Sequence, residues 1–409
     1  MLFMKSIFLS SLIILSFVSC MKQNQGGKIR IETDATRLDI DTCDVTKILL
    51  SERSDDGLYI KDLADSVQYI PLETTRESLI GSISQLAFFN ETFFVLDADK
   101  AQALFAFDST GKYLWKIARI GNGPGEYSSL SNLSIDYSKK QIHLLSLNPV
   151  MKVMTFDLEG KFLSEIKIPF STRSFTFLPN NAFVFYNGYC SNKSKLEKEY
   201  NLIQTDGKMN IQQAYDPYIS DKCASYPLPI SCFYTYNNSN NYFDDLRGSI
   251  YSIDKNGSLK MRFHIDFGEH TLDLDKRSLN TEDFNRYCRE SDIYHLSNVS
   301  ETDQFLFFKF HSREKVFFAF YYKETGELRV GSQVESGFNE VLSVDVKSTT
   351  SDQFISVLDP LVIFQFKEAW TALSSQERAL QKMNKGWQRV LDDFEEENNP
   401  TLVLFSLKH

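Results

Sequence analysis

The sequence predicts an all-β fold built from repeated four-stranded units, and three observations carry that prediction. Phe and Tyr are abundant, at 34 and 19 of 409 residues, and both favour pleated, half-buried surfaces. One hairpin pattern recurs five times: an apolar run, Asp or a substitute, a short turn ending in Gly, then a second apolar run. Unmatched single strands remain before the first repeat and after the last.

The chain opens with a targeting segment. Lys5 supplies positive charge and "IFLSSLIILSFV" (7–18) is apolar but short; a membrane span needs about 20 such residues. Ser19 then precedes Cys20. Residues 1–19 therefore read as a lipoprotein signal peptide, with Cys20 as the lipid-attachment residue, and are set aside from the fold. An ordinary secretory signal or an uncleaved anchor would fit the apolar stretch without using Cys20. Residues 20–58 read as a lipidated tether and linker, beginning with the polar "MKQNQGGK".

Residues 59–409 carry the repeats. The hairpins are "LFAFDSTGKYLWKI" (104–117), "VMTFDLEGKFLSEI" (153–166), "YNLIQTDGKMNI" (200–211), "SIYSIDKNGSLKMRF" (249–263) and "FFAFYYKETGELRV" (317–330). Their turn glycines, Gly111, Gly160, Gly207, Gly257 and Gly326, are expected to supply positive φ and lie 49, 47, 50 and 69 residues apart. Each period also holds an upstream strand pair, which makes four strands per unit, the pattern of a β-propeller blade. Five units plus the chain ends predict six blades. The last blade is expected to combine "DSVQYIPLE" (65–73), "FNEVLSVDV" (338–346), "DQFISVLD" (352–359) and "NPTLVLFSLK" (399–408), so that N- and C-terminal strands together close the ring. A seventh blade would have to fit in the 69-residue gap. One C-terminal-region helix is expected over 374–398, with Ser374 and Glu377 in capping-box spacing and Leu380, Met383, Trp387, Val390, Leu391 and Phe394 forming one apolar stripe. That stripe either docks on the propeller or binds a partner.

The net charge is −10, which argues against nucleic acid as a partner, since that needs a basic face. Five cysteines remain besides Cys20; Cys223 and Cys232 are the first disulfide to test, while burial as free thiols is the alternative. The histidines form no paired metal motif, no Cys/His cluster has zinc spacing, and no cofactor is implied. The loop "RIGNGPGEY" (119–127) lacks the strand–turn–helix context of a phosphate cradle. Gly121, Gly123, Pro124 and Gly125 suit a sharp corner between blades; Arg119, Glu126 and Tyr127 are the residues there that could instead meet a ligand. Tyrosine-rich insertions at 187–200 and 214–245 add Tyr189, Tyr226 and Tyr234 as candidates, since one ring offers both stacking and a hydroxyl; packing on the outer strands is the other reading.

"GNGPGEY", "YSIDKNGSLKMRFHIDFGEH" (251–270), the closing "NPTLVLFSLK" and the amino-terminal "DSVQYIPLETTRESLIGSISQLAFFNETFFVLD" together resemble the six-bladed β-propeller lipoproteins of Bacteroides-type bacteria, over residues 60–409. The resemblance implies an NHL-like propeller and little about function. With no acidic residue in "CMKQNQGG" directly after Cys20, it favours an outer-membrane anchor facing the periplasm. The function expected is a binding or scaffolding module for an envelope protein, peptide or glycan. An alternative is an NHL-like lyase or hydrolase with a metal in the central channel. The anchor is tested by palmitate labelling: the native protein should take up label, and Cys20→Ala should lose it. Retained label would refute the anchor.

Overall fold

The computed structural model describes residues 28–30, 44–50, 58–148, 150–218, 220, 229–273, 275–276, 279–292, 294–311, 315–335 and 339–408. Its organising motif is the turn that joins the third and outer strands of a blade. In blade 1, Asp108 closes the strand Ala103–Asp108, and its carboxylate accepts from the N–H groups of Thr110 and Lys112. Asp157, Asp206 and Asp254 do the same at the matching turns. The residue three positions on takes positive φ: Gly111 at 87°, Gly160 at 79° and Gly257 at 86°. Blade 3 departs from expectation. There the left-handed residue is Met209, at 65°, and Gly207 is not among the positive-φ residues. Met209 is buried among the residues between blades 2 and 3, so burial offsets a backbone conformation that costs an L-residue about 1–2 kcal/mol.

The blades follow in chain order. Blade 1 runs from Gln85–Phe89 to Tyr113–Ile117, blade 2 from Ser129–Asp136 to Phe162–Lys167, and blade 3 from Ser174–Phe177 to Ile211–Tyr218. Blade 4 runs from Phe233–Tyr236 to Leu259–Asp266 and blade 5 from His295–Glu301 to Leu328–Gly331. In each, antiparallel strands step outward from the channel. Blade 6 takes Val346–Thr349, Phe354–Leu358 and Thr401–Leu407 from the C-terminal region and Ala64–Pro71 as its outer strand. The six inner strands neighbour one another in a closed ring. The 69-residue gap holds no seventh blade among the described residues; it contains the helix Thr281–Glu290.

The apolar clusters lie at the seams between blades. Phe93 and Val95 face blade 6, whereas Phe94 and Leu96, on the same strand, face blade 2. Both faces of a middle strand are thus buried, which explains runs such as "FLFFKF" that lack polar alternation.

Two expectations for the last blade change. The inner strand begins at Val346, where the expected one ended. Upstream, Tyr69 Oη donates to the Val341 carbonyl and accepts from its N–H, and Asn384 N–H donates to the Asn339 carbonyl, so that backbone is committed to other partners. Phe338 lies outside the described residues. The single helix over 374–398 is instead two, Ser375–Leu380 and Lys385–Asp393, preceded by a third, Pro360–Ala372. Ser374 and Glu377 form the expected capping box, but Asn384 caps a new helix through the N–H groups of Gly386 and Trp387. Trp387, Val390, Leu391 and Phe394 keep their stripe and pack on blade 6, while Leu380 is left exposed.

Part of the expected linker also joins the fold. Thr46–Leu49 pairs in parallel with the outer strand of blade 4, Leu58–Tyr59 pairs with Val334–Glu335, and Ile29 bridges Leu196 of blade 3.

Gly111 tests ring closure. A Cβ on it would stand 2.2 Å from the Pro71 carbonyl oxygen of the closing strand, whereas one on Gly326, also at positive φ, would meet nothing nearer than 3.7 Å. Gly326→Ala should therefore cost about 1–2 kcal/mol from the backbone alone. Gly111→Ala should cost roughly 1–3 kcal/mol more, as overpacking does. Denaturant unfolding measures both; equal losses would show that this contact does not hold the ring.

Candidate functional site

The inner strands surround a central cavity of about 400 Å3, to which all six blades contribute. Ser134, Thr176, Ser297 and Ser348 are among its lining residues, as are Phe88, Phe175, Phe233 and Tyr234, whose rings pack into the seams between blades. Tyr137 closes one end: its ring stands edge-on to Phe89 of blade 1, 4.9 Å between centroids, and its hydroxyl bonds the Thr235 side chain of blade 4. A side chain from blade 2 that reaches blade 1 and, past blade 3, blade 4 must cross the channel floor. Strand connections on that floor face are tight turns, such as Asn90–Glu91 and Asn237–Asn238, with paired positive φ. The long connections, 187–198, 267–294 and 359–400, all fall on the opposite face. The cavity is thus a cup that opens where the fold is elaborated.

Two β-bulges shape its wall. The ladder of blade 5 skips Ser297 and that of blade 6 skips Lys347, and a bulge re-aims a side chain; both residues line the cup. Ser297 Oγ lies 2.9 Å from His311 Nε2, and the His311 ring stacks on His295 at 4.9 Å. Burial pushes the pKa of His311 down, and the nearby Lys309 ammonium adds to this. Asp345 and Lys347 pair at 3.2 Å. Behind the wall, Tyr234 donates to Glu301, a fully buried carboxylate that also accepts two bonds of 2.7 Å from Arg262 and one of 2.9 Å from Lys323. Among the described residues no group of three or more His, Cys, Asp or Glu side chains is arranged to hold a metal ion. Cys190, Cys232 and Cys288 are free thiols, and Cys223 lies outside the described residues.

The six candidate residues do not converge. Only Tyr234 lines the cup. Tyr127 has no exposure; its hydroxyl sits 2.9 Å from the Gln102 carbonyl and 3.0 Å from that of Ile117, so the ring packs in the seam between blades 1 and 2. The Glu126 carboxylate folds back to accept from Gly123 N–H at 2.8 Å, and Arg119 is exposed beside it. The loop is a corner tied by its own side chains. Tyr189 bonds Asp216 at the blade 3 rim, and Tyr226 lies outside the described residues. Sequence reasoning missed Lys309 and His311. The available signal was a basic residue interrupting "FLFFKFH", where every neighbour is apolar.

The fold and cup define a six-bladed β-propeller with a single loop-rich face. The chain belongs to the family described as "Domain of unknown function (DUF4934)", whose model matches residues 43–406. A Bacteroides fragilis NCTC 9343 protein described as exported shares the fold at TM-score 0.71 and 19% identity, over 89% of this chain and 100% of that one. BamB of Moraxella catarrhalis (TM-score 0.36, 11% identity, 72% of each chain) is far more distant. So is virginiamycin B lyase of Staphylococcus aureus (0.35, 12%, 71% of this chain and 80% of that one). At such scores nothing is inferred from either. None of the curated proteins matches the chain. No helix among the described residues is long and apolar enough to cross a membrane.

Two buried histidines set a pH dependence. Burial pushes His143 down to about 4 and His295 down to about 3, whereas in the unfolded chain both titrate near 6.5. Between those values the unfolded state binds more protons, so stability is lost as pH falls from about 6.5 towards 4, by up to about 1.4 kcal/mol per pH unit for each histidine. Urea unfolding at pH 7, 5.5 and 4.5 should show this slope, and His143→Gln should roughly halve it. A flat profile would remove the buried-neutral assignment.

Proposed function

We propose that this protein is an exported, lipid-anchored binding module of the bacterial envelope whose propeller takes a glycan in the central cup. The observation that carries the reading is the cup itself: about 400 Å3, with serine or threonine residues of all six blades along its wall. That volume is within the range of small-ligand sites, and a sugar offers many hydroxyls to such a polar wall. Likeness to a Bacteroides fragilis protein described as exported supports export. Cys20 supplies the lipid, with the outer membrane's periplasmic side as the destination. Ile29 bridges Leu196 in a long connection of the loop-rich face. The nine residues from Cys20 to Lys28 then reach at most about 30 Å, so the rim of blade 3 stays near the bilayer.

The test is an array of neutral and acidic oligosaccharides probed with the mature protein and with Ser348→Trp, which fills the cup. Binding by the native protein and loss in the variant, at unchanged melting temperature, is the expected result. Equal binding by both would place recognition elsewhere, and no binding on the array would end the glycan reading.

A further inference from the structure

We infer that the cup selects a saccharide bearing a carboxylate, a uronic acid, and that Lys309 is the residue that reads its charge. The inference rests on the glycan reading above and narrows it. Three charged residues line the cup: Lys309, Lys347 and Asp345. Lys347 and Asp345 are paired at 3.2 Å, and their charges offset each other locally. Lys309 is only partly exposed, and among the described residues its ammonium has no acidic partner and no hydrogen-bond acceptor. The chain as a whole is acidic, at −10. A cation left unpaired at the wall of the central cavity of an acidic protein is placed to receive a negative ligand.

The neighbours of Lys309 define what kind of anion fits. Ser297 is turned into the cup by the bulge and touches both the Lys309 carbonyl, at 3.4 Å, and His311 Nε2, at 2.9 Å. His311 has its pKa lowered by burial and by Lys309, so it meets the ligand as a neutral imidazole. The wall therefore offers one positive charge flanked by hydroxyl groups and a neutral ring. No arginine is among the residues that line it, and the planar fork that suits phosphate is missing from this wall. One compact cation matches a single carboxylate, and the surrounding hydroxyls match the sugar that bears it.

The experiment uses trigalacturonate and its methyl ester, which has the same shape without the charge, titrated calorimetrically into the mature protein at low salt. The acid should bind at least about tenfold more tightly than the ester, the scale of one charge-assisted hydrogen bond. Added salt should weaken the acid only. Lys309→Met should bring the two ligands to equal affinity at unchanged melting temperature, and Lys309→Arg should restore part of the difference. Lys309→Gln serves the same purpose if the Met variant fails to fold. Equal binding of acid and ester by the native protein overturns the inference and leaves the glycan cup standing. So does a preference for the acid that survives in Lys309→Met. Failure of every sugar on the array, these included, ends both.

Discussion

The structure depends on one strand pairing. Ala64–Pro71 lies antiparallel to Thr401–Leu407, in register from Pro71 opposite Thr401 to Ser66 opposite Ser406, with a shift before Ala64 opposite Leu407. Without it, blade 6 would have three strands and an open edge, and Ile70 and Leu72 would leave the seam with blade 1. The same segment secures the neighbouring blade. Glu73 N–H donates to the Gly111 carbonyl, and its carboxylate accepts from Tyr113 N–H. Asn399 adds side-chain bonds to the Glu73 and Ser78 carbonyls. A blade cannot bury both faces alone, so each seam requires the next, and the last seam exists only when the two ends of the chain meet. Such non-local closure is costly in loop entropy, which is why so many bonds converge on these few residues.

The chain before that strand works outward from the same constraint. A propeller has exposed outer edges, and an unpaired edge invites pairing with another chain. The segments at 29, 46–49 and 58–59 lie along blades 3, 4 and the junction of 5 with 6. At blade 4 the segment becomes a fifth strand. What composition marks as linker is thus partly a strap, because pairing with an edge uses backbone groups and leaves only a weak side-chain pattern.

How much of this was legible follows the range of the interactions. The blade hairpins could be read because an Asp-initiated turn ending in a left-handed residue is local chemistry, written within five positions. Met209 could not, since its conformation is maintained by burial against blade 2. The helical stripe through Trp387 was readable as a period, but the break at Asn384 was not: a cap and a helix interior differ there by a backbone path set by Asn339 and Glu340. Tyr127 had the residue type of a stacking platform, and its place in a seam depends on Gln102 and Ile117, each reached only after folding. The cup was the least legible feature, because its wall takes a few residues from each of six blades spread along more than two hundred positions.

The wall is also stiffer than its loops would suggest. The inner strand of every blade presents an unpaired edge to the channel, and backbone groups on such an edge need partners. Side chains from adjacent blades provide them. Gln85 accepts from Leu133 N–H, Asn132 from Phe175 N–H and Ser134 from Phe177 N–H; Asn240 donates to the Phe177 carbonyl, Asn298 to that of Val346 and Thr349 to that of Glu301. These bonds stitch each blade to a neighbour through the polar residues that an apolar core would exclude. The polarity of the channel is therefore first a requirement of the fold. What that requirement leaves over is Lys309, a lining charge for which the stitching has no use, and the proposed recognition rests on it.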